Sequence, residues 1–292
     1  MIETGADLLK LLPPVLRARD FHLYLDGGKR LVDLWLAGGK AVLGHKPPRV
    51  IGELKNASER GLFTPLPHPS EGRFIKALCK LFPNRFFRLY KDSFSMHRAL
   101  AEAGLQNEFS PIDPAYPESA AALSAKSVSL WRPFLEQPAL NNTSNCEAPI
   151  LIPVLPWPLG PDVLVLDKNE DASVKAGEKI PPVLLAPASR AVYDLLAEIK
   201  KGSRLARRYP IIEKALGKAK SGDGGNGGCI WRRNGIYLTV KPDMETERYE
   251  VLFRHFLDGG FLIPPSPSEP AILPLSMSKG EESKLAELLG FC

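Results

Sequence analysis

The chain has 292 residues, 44% of them hydrophobic and 24% charged, and a formal net charge of +5. That is apolar mass enough for one large domain or two modest ones. It excludes a spanning helix: the longest apolar run, Ile150 to Leu166, is broken by Pro153, Pro156, Pro158, Pro161 and Asp162, short of the ~20 uninterrupted residues required.

The opening M-I-E-T-G-A-D-L-L-K lacks a basic-then-apolar leader, which points to the cytoplasm and makes the N-x-[S/T] matches at Asn141 and Asn142 chance. Phe21 to Leu36 reads as a two-stranded hairpin turning at Asp26-Gly27-Gly28. Arg49 to Gly61 is an amphipathic helix with Gly61 in the cap position, and Glu71 to Leu81 is a second one stopped before Pro83. Phe86 to Tyr90 reads as a strand feeding a helix over Ser95 to Ala103. The stretch 104–147 is weakly patterned. A-P-I-L-I-P-V-L-P and D-V-L-V-L-D follow, and their near-continuous apolar character predicts buried parallel strands. Helices are expected over Ala188 to Leu205 and Pro210 to Ala219, then a glycine-rich connector at 221–228. It lacks the lysine and hydroxyl of a phosphate-binding P-loop, which argues against a nucleotide site. A hairpin at Cys229 to Trp231 and Gly235 to Val240 precedes two amphipathic helices, Glu245 to Asp258 and Lys279 to Leu289.

Cys79, Cys146, Cys229 and Cys292 stand far apart with no C-x-x-C pair, so neither a zinc site nor a disulfide framework is indicated. Lys200, Lys201, Arg204, Arg207 and Arg208 form a basic cluster without interleaved aromatics, a pattern that speaks for a solvated helix end and against nucleic acid.

Residues 25–63 carry Gly28, Asp33, Gly39, Gly44, His45, Pro48 and Gly61 in the order and spacing of a D-G-x-x-Y-x-D hairpin, an L-G-H-x-x-P turn and a helix ending in R-G. Residues 257–278, L-D-G-G-F-L-I-P-P-S-P-S-E-P-A-I-L-P-L-S-M-S, match a helix end running into P-P-S-x-x-E. Both segments resemble class III pyridoxal-phosphate-dependent aminotransferases, with glutamate-1-semialdehyde aminomutase the nearest. The resemblance implies an α/β fold of the type I aminotransferase (PLP-dependent transferase-like) kind in reduced form. A discontinuous small domain is then expected from 1–85 and 205–292, and a shortened remnant of the large cofactor domain from 86–204.

The resemblance also identifies where cofactor chemistry belongs, and there the chain departs from the family. Asp92, Ser93 and Phe94 stand where the family has an S-G-[ST] phosphate turn at a helix N-terminus. Asp92 places a carboxylate at the position of a dianion and reads as an ordinary N-cap, while Phe94 replaces a hydroxyl and is expected to fill space. Asp167 matches the pyridinium partner, but Ile152 replaces a glutamate. Lys175 and Lys179 follow Asp167 too closely, in a polar loop expected to be mobile, to serve as the Schiff-base lysine. No H-G-x-x-G ring cover occurs between 104 and 147, and neither His68 nor His97 stands beside such glycines.

The resemblance therefore implies a degenerate relative without transaminase activity or bound cofactor, leaning away from an enzyme, with Asp167 and Ser93 as vestiges of the cofactor site. Its role is expected to be binding or assembly, as a homodimer or paired with a true aminotransferase subunit, through loops 36–48 and 62–69. Two alternatives stand beside this. One is an active pyridoxal-phosphate aminotransferase or aminomutase with Asp167 and an unexpected lysine; the other is a binding module for an amino-acid-like ligand, with Arg88 or Arg190 clamping its carboxylate.

Overall fold

A computed structural model describes residues 8–105, 111–116, 128–135, 148–170, 173–201, 209–221 and 230–290. The chain divides into two compact units, 1–46 with 202–292, and 47–201.

In the first unit, β1 (Val15–Arg19), β2 (His22–Leu25) and β3 (Arg30–Asp33) form an antiparallel meander. The β2–β3 turn needs the two glycines read from the sequence, because Gly27 and Gly28 sit at φ 77° and 80°, where a Cβ is penalised. Chain 261–262 returns as a short strand parallel to β3, on the far side from β2.

The second unit is built on β4 (Phe86–Tyr90), β5 (Val128–Trp131), β6 (Ile150–Pro153) and β7 (Asp162–Leu166), in the order β4-β7-β6-β5. Ile150, Leu151, Val163, Leu164, Val165 and Leu166 are all buried, as their apolar run implied. Their pairing differs from the expectation: β6 and β7 are antiparallel. The physical reason lies in the connection. A parallel crossover takes a dozen or more residues, and Val154 to Pro161 provides too short a path. With β4 antiparallel to β7 and β5 parallel to β6, strands β4, β5 and β6 share one direction and β7 alone opposes them.

Four helices belong to this unit: α1 (Pro48–Glu59), α2 (Pro69–Leu81), α3 (Ser93–Glu102) and α4 (Pro182–Lys200). Three of them begin with proline at the first positions, where its missing N–H has no intrahelical partner in any case. That explains why α4 starts six residues ahead of the expected Ala188. Both α1 and α2 pack against α4, so residues 47–85, expected with the terminal domain, lie in the second unit instead. Helix α3 covers the sheet through Met96, Ala99 and Leu100 against Tyr90, Ile150, Ile152, Leu164 and Leu166. Each of the methionine, leucine and isoleucine side chains among them contributes about 1.5–3 kcal/mol when fully buried.

The first unit is completed by α5 (Pro210–Ser221), a hairpin of β8 (Arg232–Asn234) and β9 (Tyr237–Thr239), α6 (Thr246–Asp258), the short strands β10 (Phe261–Leu262) and β11 (Ala271–Ile272), and α7 (Lys279–Leu289). The residues of the glycine-rich connector from 222 to 228 lie outside the described residues, as do Arg204, Arg207 and Arg208, Cys146, Cys229 and Cys292. No described helix is long and apolar enough to cross a membrane.

Candidate functional site

The shared direction of β4, β5 and β6 gathers their carboxyl ends at one edge of the sheet, the place where α/β sheets bind ligands. Here β4 runs through Lys91 into α3, whose N-terminus presents Asp92, Ser93 and Phe94. Asp92 Oδ1 accepts the Ser95 amide at 2.8 Å and caps the helix, as the sequence suggested. That backbone bond, a side-chain bond from Ser95 and the charges of Lys91 and Arg98 hold its carboxyl below the usual range. Phe94 fills no space: it is 75% exposed. Behind it, His97 Nδ1 bonds the Ser93 carbonyl at 2.6 Å, and His68 caps α2 by accepting the Ser70 amide at 3.1 Å.

Asp167 lies elsewhere. It follows β7, the opposing strand, and pairing of Phe86 with Leu166 and of Tyr90 with Asp162 puts it beside the beginning of β4. The four residue steps from Phe86 to Tyr90 alone span roughly 14 Å. Ser93 and Asp167 therefore stand at opposite ends of the β4–β7 pair. Moreover, Asp167 Oδ1 accepts the amides of Asn169 and Glu170 at 2.9 and 3.0 Å, an Asx turn that uses the carboxylate locally. Ile152 is buried in the core under α3.

The loop carrying the two lysines is docked along β4, contrary to the expectation of mobility. Val174 is buried, the Glu178 amide donates to the Leu89 carbonyl at 2.7 Å, and the Lys91 amide donates to Glu178 Oε2 at 2.9 Å. Gly177 is pressed so closely that a Cβ there would lie 2.6 Å from the Leu89 nitrogen. The lysines themselves point outward, Lys175 to Glu102 at 2.5 Å and Lys179 to Glu71 at 3.4 Å. The first pair also draws the Glu102 carboxyl below its ordinary range.

Of the two arginines considered as clamps, Arg190 bonds Asp194 at 2.6 Å, with Arg49 Nη1 3.7 Å from the same oxygen, and Arg88 Nη1 bonds the Phe87 carbonyl at 3.3 Å. Residues 104–147 fall largely outside the described residues. The described part holds a pair the sequence did not reveal, Arg132 on Asp113 through Nε at 2.8 Å and Nη2 at 2.7 Å, both side chains nearly buried. A separation of nineteen positions through weakly patterned sequence leaves no local signal. Among the described residues no group of three or more His, Cys, Asp and Glu side chains could hold a metal.

In the first unit the motif residues form a clasp. Asp33 Oδ1 accepts the Trp35 and Leu36 amides at 2.8 and 2.9 Å, while Oδ2 meets His45 Nε2 at 2.8 Å. The clasp holds a turn in which Leu36, Ala37, Gly38 and Gly39 all have positive φ. Glu269, from the P-P-S-P-S-E segment, accepts Trp35 Nε1 at 2.7 Å. Gly44 has φ 95°, and a Cβ there would stand 3.2 Å from the Asp20 carbonyl oxygen. Loop 36–48, nominated for self-association, is thus buried or half-buried except at Lys46 and Pro48, whereas loop 62–69 exposes Phe63 at 57% and Leu66 at 66%.

No family model matches the chain. It is 26% identical to an uncharacterized protein of Treponema pallidum, over 92% of this chain and 91% of that one, and 24% identical to one of Borreliella burgdorferi, over 96% and 91%. A stretch of 77 residues is 31% identical to glutamate-1-semialdehyde 2,1-aminomutase of Clostridium acetobutylicum, 26% of this chain but 18% of the aminomutase. Among solved structures, Plasmodium falciparum ornithine δ-aminotransferase superposes with a TM-score of 0.66 at 12% identity, covering 99% of this chain and 98% of that one. Acetylornithine aminotransferase from Elizabethkingia anophelis gives 0.61 at 13%, covering 99% and 98%.

The chain shares the overall fold of these aminotransferases.

Pyridoxal phosphate, the group that goes with this aminotransferase fold, does not fit the matched positions. One molecule cannot place its phosphate at Ser93 and its ring nitrogen at Asp167 across the length of β4. The α3 N-terminus is already capped by a carboxylate, and both loop lysines are in surface ion pairs.

Proposed function

We propose that this aminotransferase-fold chain carries no transaminase chemistry and acts as a binding or assembly protein, associating with a second copy of itself. The observation that carries the proposal is the separation of Ser93 from Asp167 by the antiparallel β4–β7 pair. A Schiff-base enzyme needs an amine held against the cofactor aldehyde while the phosphate and ring nitrogen are fixed, and here those anchors do not converge.

The test is direct. Purified protein incubated with pyridoxal phosphate is expected to show no new visible absorbance band and, after borohydride, no pyridoxyl-lysine by peptide mass spectrometry. A stoichiometric adduct at a single lysine would end this reading in favour of an active enzyme with a non-standard site.

A further inference from the structure

We draw no further inference here: the strongest candidate, the indole N–H of Trp157, buried without an acceptor in the loop that leaves β6 at the carboxyl edge of the second unit's sheet, carries nothing, because one donor does not define a ligand and nothing in the structure shows what would meet it.

Discussion

The residues that mark the family resemblance in this chain are fasteners rather than chemical groups. Asp33 accepts three hydrogen bonds and thereby holds Leu36 and Ala37 at φ 49° and 52°. Each left-handed non-glycine residue costs about 1–2 kcal/mol, so a buried carboxylate is an apt counterweight. Asp33→Ala leaves two amides and an imidazole without their acceptor and is expected to cost about 3 kcal/mol or more of stability, read as a lower urea midpoint. The glycines separate in the same way. Gly27→Ala meets no atom within 4 Å and pays the backbone penalty alone, about 1 kcal/mol. Gly44→Ala pays that and also crowds the Asp20 backbone at 3.2–3.4 Å, for a further ~1–3 kcal/mol. Equal losses for the two glycine variants would show that the Asp20 contact relaxes freely.

Elements were legible where local pattern decides them and illegible where pairing does. Strand β4 matches its expected range, and α1, α2, α6 and α7 lie within two residues of theirs at every end, because glycine, proline and 3.6-residue periodicity mark them. The direction of β7 was missed although the connection length carried the signal. Strand β5 was missed because its four residues sit in unpatterned chain. Lysines in loop 173–181 made it look solvated, while Val174, Gly177 and the Glu178 amide in fact bind it to β4. Element docking also has a pH signature at α7. Glu281, in the capping box with Ser278, contacts His22 of β2 at 2.9 Å and Arg30 of β3 at 3.1 Å. Burial pushes its carboxyl up, but the Ser278 and His22 bonds outweigh this and bring it from 4.5 down to about 2. A carboxylate with a depressed folded-state pKa contributes stability that is present above its unfolded value and lost as pH falls through the folded one. The chain is therefore expected to lose stability between about pH 4.5 and 2 through this residue. Glu281→Gln should flatten that part of a plot of urea midpoint against pH, and an unchanged slope would remove Glu281 from the account.

At the scale of the whole molecule, length is informative. The same 77 residues make up a quarter of this chain but under a fifth of the aminomutase, whereas the Treponema and Borreliella proteins align over nine-tenths of both partners. The shorter form is thus shared with those two relatives. What it retains is the framework: two units with separate cores, the Asp33 clasp in one and a four-stranded sheet in the other. For the proposed assembly role such a framework offers a surface, and loop 62–69, with Phe63 and Leu66, is one of its exposed apolar parts. Phe63 and Leu66 stand out of a segment fixed at its base by the Val183 amide on the Leu62 carbonyl at 3.0 Å, so their exposure is held rather than incidental. If two copies meet there, Phe63→Asp with Leu66→Asp should halve the mass found by light scattering. Both side chains are more than half exposed, so the melting temperature of the chain itself should change by no more than a few degrees. A wild-type chain of monomer mass at high concentration would remove the assembly role, and a dimer indifferent to the double substitution would move the contact to another surface.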